Sequence, residues 1–336
     1  MAGLVKTALP VHAGASDEMR PPTLPIDPVG HDGAYCSDED KAVVVPTTAE
    51  LMAFPDGAST AEALSDLLID AIGGVQCQDD WARQYEEPML QSIIMIRRVV
   101  VHRPLAVPDA SVGVMLQSLT VAGDDLRSAL VKNALLALAE CFEYLGRGRL
   151  EPLVARNPEM LDMLLRRSVC EKKFLRDAAV YAVQRLVQHL ACLPLVERAA
   201  SYATSKNARL CANAAKIIAS SLTRLTQQEA NGPITALAQS ENAEAVHVVY
   251  RALTVFREGK DSSARTQATL SFKLIGEFVG REQFEGGLKA ALSRTNQQHM
   301  AARILKEVFP SAAGDDAGSQ VRRGSLRDRM QLERAH

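Results

Sequence analysis

Apolar residues spaced three and four apart recur from Ser59 to Phe309, interrupted only by short polar breaks, and nowhere give way to the strict alternation of a half-buried strand. The first stripe is Leu64, Leu67, Leu68, Ala71 and Ile72. Others run through Leu126/Leu130/Ala134/Leu138/Phe142, Leu175/Ala179/Ala182/Leu186/Leu190, Leu210/Ala214/Ile217/Leu222 and Ala264/Ala268/Phe272/Ile275/Val279. Each stripe buries one face of a helix. A chain that joins helices only to helices is all-α. Aromatic residues at only 4 % agree with packed helices rather than sheets.

The breaks fall where helix chemistry places them. Gly73-Gly74, Gly123-Asp124, Gly146-Arg147-Gly148, Asn157-Pro158, Gly232-Pro233 and Gly259 are read as helix ends. Asp125, Ser205 and Asp261 are read as caps of the helices that follow. The polar starts of every second helix are Trp81, Arg127, Lys172, Lys206 and Lys260. Their intervals of 46, 45, 34 and 54 residues bracket the roughly 40 to 47 residues of a HEAT-type repeat. The expectation is an α-α superhelix of about six antiparallel helix pairs, a HEAT-like solenoid with the loops inside each pair lined along one edge.

Flanking segments differ in composition. Residues 1–57 hold seven prolines among Gly, Asp and Ser, and residues 1–58 carry three basic against nine acidic groups. They are read as a disordered acidic leader. Residues 58–310 form the repeat domain, and 311–336 a flexible basic tail in which Arg322-Arg323-Gly324-Ser325 presents Ser325 as a phosphorylation candidate. A solvated basic tail is the plainer reading of that stretch.

Several function classes are disfavoured. Lys and Arg (38) nearly balance Asp and Glu (40), which does not advertise nucleic acid. Apolar runs stop well short of the ~18 residues of a membrane span. Six cysteines without CxxC spacing point to reduced thiols in the cytoplasm. Gly146-Arg147-Gly148 follows a helix and lacks the Lys-Ser/Thr of a phosphate loop. His189 and Cys192 lie three apart with no second pair nearby, so no metal and no cofactor are assigned. There is no HExxH and no GxSxG. The chain is read as a non-enzyme.

What remains is the edge. Asp79-Asp80-Trp81, Asp125-Leu126-Arg127-Ser128, Glu171-Lys172-Lys173-Phe174, Ser205-Lys206-Asn207-Ala208-Arg209 and Lys260-Asp261-Ser262-Ser263-Ala264-Arg265 each sit at a helix start, and four of the five carry Lys or Arg. A lone Trp in a helical repeat is more often a packing residue than an anchor, and a single basic loop residue is ordinary surface. Recurrence along one edge makes the pattern informative: a basic ridge headed by an indole suits an acidic protein surface.

These segments resemble the TOG domain, in particular the CLASP-type N-terminal repeat. The likeness is carried by Asp80-Trp81, DLRSALVKNALLALAECFEYLG (125–146), KKFLRDAAVYAVQRLV (172–187), SKNARLCANAAKII (205–218), KDSSARTQATLSFKLIGEF (260–278) and FEGGLKAALSRTNQQHMAARIL (284–305), in order across residues 59–309. The resemblance implies a six-repeat paddle that binds αβ-tubulin or microtubules through its intra-repeat loops. It assigns Trp81 to the first-loop contact, Arg127, Lys172 and Lys173 to the second and third, Lys206, Asn207 and Arg209 to the fourth, and Arg265 to the fifth, with Lys260 beside it. The family's Arg three residues after the Trp is replaced by Gln84, with Arg83 one residue earlier. The implied setting is the cytoplasmic cytoskeleton, a cilium or flagellum included. The competing reading is a general HEAT- or armadillo-type scaffold that grips a peptide or adaptor on its concave face, although no Asn ladder marks such a groove.

Overall fold

The computed structural model describes residues 45–55, 60–76, 86–228, 243–293, 295 and 297–310. Among them are thirteen α-helices and no strand. We number them α1 (Ala61–Gln76), α2 (Glu86–His102), α3 (Asp109–Gly123), α4 (Ser128–Tyr144), α5 (Arg147–Arg156), α6 (Pro158–Arg167), α7 (Lys173–Leu190), α8 (Leu193–Ala200), α9 (Ala208–Gln228), α10 (Ala243–Glu258), α11 (Ser262–Val279), α12 (Arg281–Leu292) and α13 (Met300–Val308).

They form two layers. In one, α1, α3, the broken pair α5/α6, α8, α10 and α12 follow one another; in the other, α2, α4, α7, α9 and α11 stack side by side and α13 closes against α11. Each helix also packs on its antiparallel partner, giving six pairs. This is the expected helical-repeat solenoid. Its centre is α4, where Leu130, Ala134, Leu135, Leu138, Cys141 and Phe142 are all essentially inaccessible because helices cover it on every side. Burial pushes the Cys141 thiol well above its usual range. The four described cysteines are unpaired.

Local chemistry explains most boundaries. Gly146, at φ +79°, occupies the left-handed region between α4 and α5 that favours glycine. Pro158 begins α6 one residue after Asn157. The Asp261 carboxylate accepts from the Ala264 amide (2.8 Å) and caps α11. Three expectations are corrected. Asn207, rather than Ser205, receives the Leu210 amide and starts α9, while Ser205 Oγ accepts from the Asn207 amide. Asp125 lies outside α4, whose N-cap is Arg127. Gly73-Gly74 does not end α1, which continues to Gln76. The pair serves close approach instead: a β-carbon on Gly74 would stand 2.3 Å from Ser92 Oγ of α2.

The acidic leader was expected to run to residue 57, yet residues 45–55 lie across the second layer as a strap. Val45 and Leu51 are buried. Arg97 Nη1 donates to the Pro46 carbonyl (2.7 Å), Arg98 Nε to that of Met52 (2.8 Å), and His102 Nε2 meets that of Leu51 (2.9 Å). Thr48 Oγ1 donates to Glu140 (2.8 Å), and the Arg98 guanidinium sits 4.5 Å over the Phe54 ring. Beneath the strap, Arg97 and Glu140 form a two-pronged ion pair at 2.7 and 2.8 Å with no solvent access, and Arg97 also donates to Asn133 Oδ1 (2.8 Å). The far end is closed by rings: Phe284 meets Tyr250, Phe272 and Phe309 edge-on at 5.4, 6.1 and 5.6 Å.

Candidate functional site: the loop edge

Among the described residues, the second to fifth loops inside the helix pairs share one edge, and side chains tie several of them to the neighbouring repeat. Lys172 Nζ donates to Ser128 Oγ (2.7 Å), linking the third loop to the second. Arg167, at the end of α6, donates to the carbonyls of Gly123 (2.8 Å) and Asp125 (2.9 Å), and Arg166 pairs with Asp124. On the next step, Arg198 and Tyr202 both bind Asp162. These are bonds between residues 36 to 44 apart in sequence, so the alignment of loops is held by polar links as well as by the core.

The predicted contact residues divide into two groups. Arg127 turns back on its own loop: Nε and Nη2 donate to Asp125 at 2.9 and 3.0 Å, and Nη2 also lies 3.3 Å from Met89 Sδ. That guanidinium holds the Asp125 carboxyl below its ordinary range, against the opposing pull of burial. Lys172 is exposed but bound to Ser128, and Lys173 pairs with Asp177 (2.7 Å). Asn207 is occupied as a helix cap. Arg265 donates to the carbonyls of Gly259 and Lys260 (3.0 and 2.8 Å), closing the end of α10. Lys206, Arg209 and Lys260 are exposed and form no ion pair among the described residues. The available positive charge is therefore concentrated on the fourth and fifth loops. Trp81, with its neighbours Arg83 and Gln84, and Ser325 in the basic tail lie outside the described residues.

An apolar feature at the second loop is absent from the charge-based reading. Leu126 is 98 % exposed. It borders a hollow of about 830 Å³ that is also lined by Val75, Met89 and Val121. Leu126 was counted in the buried stripe of α4, but α4 begins two residues later. Its position in an Asp-Leu-Arg turn, where Asp125 Oδ1 accepts from the Arg127 amide (2.8 Å), was the signal that it stands outside the helix. Among the described residues no group of three His, Cys, Asp or Glu side chains gathers to hold a metal, and no helix is long and apolar enough to cross a membrane.

No family model and no curated protein matches the chain. Among solved structures, it is similar to a protein described under "Crescerin uses a TOG domain array to regulate microtubules in the primary cilium", at 14 % identity over 70 % of this chain and 92 % of that one, with a TM-score of 0.45. A designed armadillo repeat protein in complex with the peptide (KR)4 is 11 % identical over 72 % of this chain and 99 % of that one, with a TM-score of 0.40. The likeness is one of helical-repeat architecture, which the packing of the two layers establishes independently.

Proposed function

We propose that this chain is a non-enzymatic tubulin- or microtubule-binding protein that acts through the loop edge of a single TOG-like domain and regulates microtubule dynamics or organisation in the cytoskeleton. The observation that carries the reading is the exposure of Lys206, Arg209 and Lys260 on loops that share one edge, in the segments whose sequence resembles the tubulin-contacting loops. Exposed cations of this kind accelerate encounter with an acidic partner and orient it. Leu126 adds an exposed apolar side chain at the second loop of the same edge. Arg127, Lys173 and Asn207 hold the loops in shape, so their role in binding is indirect.

The test is co-sedimentation with taxane-stabilised microtubules alongside gel filtration with free tubulin, at low and moderate salt. The variants are Lys206→Glu/Arg209→Glu/Lys260→Glu and, separately, Trp81→Glu. The triple variant, with unchanged helical circular dichroism, is expected to lose about tenfold or more in affinity, and wild-type binding to weaken as salt screens exposed charge. Undiminished binding by the triple variant would overturn the loop-edge site.

A further inference from the structure

Among the described residues, two helix interfaces of the second layer differ in what covers them. Between α2 and α4 the strap lies in the groove and presents its carbonyls to side chains of α2. Between α7 and α9 the helices meet more sparsely than their neighbours do. The result is an open groove of about 400 Å³.

The two are in register. Asn133 follows the N-cap Arg127 of α4 by six residues, and Asn213 follows the cap Asn207 of α9 by the same interval. Each amide reaches back to the preceding repeat: Asn133 Nδ2 donates to the Leu90 carbonyl (3.2 Å), and Asn213 Nδ2 to Ser168 Oγ (2.8 Å). Asn213 lines the open groove. The strap itself is held by Arg97, Arg98, His102 and Glu140 rather than by Asn133, and the described lining of the α7–α9 groove comes only from Leu165, Ser168, α7 and α9.

The chemistry of the walls specifies what fits. Val183, Val187 and Ile217 supply an apolar floor, and Lys216 and Arg224 supply positive charge from α9. No Asp or Glu is among the described lining residues. Neither Lys216 nor Arg224 forms an ion pair among the described residues. Arg185, one turn along α7, is already matched to Glu143 of α4 (3.4 Å), so the uncompensated charge of the groove is on α9. The His189 imidazole is held below its ordinary range by burial first, then by Arg185 and Arg224, which reflects the same positive local field.

We infer that the α7–α9 groove is a docking site for an extended acidic peptide segment of another protein, with apolar side chains on Val183, Val187 and Ile217 and carboxylates on Lys216 and Arg224. The site is separate from the loop edge, and the inference does not depend on tubulin binding there. The probe is a fluorescein-labelled peptide of alternating glutamate and leucine, with a lysine-for-glutamate counterpart, titrated against the full chain by anisotropy. Saturable binding of the acidic peptide alone is expected. Lys216→Glu/Arg224→Glu should weaken it about tenfold or more, while Lys206→Glu/Arg209→Glu/Lys260→Glu leaves it within about twofold. Lys216→Glu alone, at an exposed position, gives the same direction if the double variant does not fold. Equal losses in groove and edge variants would show diffuse charge attraction and overturn the site, as would a failure of the wild type to bind. If Asp38→Asn/Glu39→Gln/Asp40→Asn raises affinity about tenfold, the groove's occupant is this chain's own acidic leader and the assignment to another protein is wrong. A groove variant that shifts the sedimentation coefficient would instead assign the groove to a second copy, with the same consequence.

Discussion

The α2–α4 and α7–α9 interfaces join neighbouring helices of one layer, yet the first is closely packed around a buried ion pair and the second is open, with an apolar floor and exposed positive charge. In the first, Arg97 and Glu140 face each other across the interface, and residues 45–52 complete their seal by adding Pro46 and Thr48 as hydrogen-bond partners. In the second, Lys216 stands in solvent and Ser220 takes the position that Glu140 holds in α4, thirteen residues after each cap. A repeat scaffold can therefore keep its core pattern and change what a groove admits by exchanging two or three side chains. Burying opposite charges demands a lid, whereas leaving one sign exposed leaves a place for a ligand.

Three substitutions sharpen this contrast. The largest effect belongs to the sealed groove. Arg97→Met should destabilise the fold by ~3–5 kcal/mol because it strands the buried Glu140 carboxylate without a counter-charge, leaving it the Thr48 hydroxyl. Arg97→Met/Glu140→Leu should recover most of that loss in urea unfolding. If the double variant is no more stable than the single, the ion pair is not the reason the strap is needed. Next is the strap itself. Leu51→Ala removes a buried side chain and is expected to reduce stability by ~2 kcal/mol or more. An unchanged unfolding midpoint would mean that the strap is not part of the cooperative unit.

The smallest effect is at His189, next in sequence to the groove residue Gln188. The folded chain holds His189 below, and the unfolded chain near, the ordinary value of 6.5, so the unfolded chain takes up the proton first as pH falls. Stability from this group is full above that value and declines as pH drops through 6.5 towards the lower folded value. His189→Gln should flatten the decline between about pH 7 and pH 5. Its Nε2 is buried without a hydrogen-bond partner among the described residues, and glutamine keeps a polar group there without the titration. A slope unaltered by the substitution would assign the acid sensitivity elsewhere.

The helices were legible because an apolar stripe is a local signal, and the same holds for Gly146, Asn157-Pro158 and the Asp261 cap, each of which acts on its own neighbours. What escaped a local reading depended on distant partners. Gly73-Gly74 looked like a break, but the reason for Gly74 is Ser92, in the next helix. The strap belongs to the fold because of Arg97 and Glu140, 51 and 92 residues from their partners Pro46 and Thr48. At the edge, the pattern found the right loops and could not tell which cations were occupied. Lys172 is bound by Ser128, 44 residues earlier, and Arg265 by carbonyls that α10 leaves open. Arg127 is the exception, since its partner Asp125 was two residues away and the pairing could have been anticipated.

The ring cluster at the end of α11, α12 and α13 has a consequence for how the chain comes apart. In a linear array of stacked repeats, each unit is held only by its neighbours, so fraying starts at a terminal unit that has lost one of them. Here Phe309 leans on Phe284, and Phe284 on Tyr250 and Phe272, so the last pair is tied back across α12 to the pair before it. Terminal opening at this end then breaks two repeats' worth of contact at once. Amide exchange along α13 is expected to track that of α10 and α11 rather than run ahead of it.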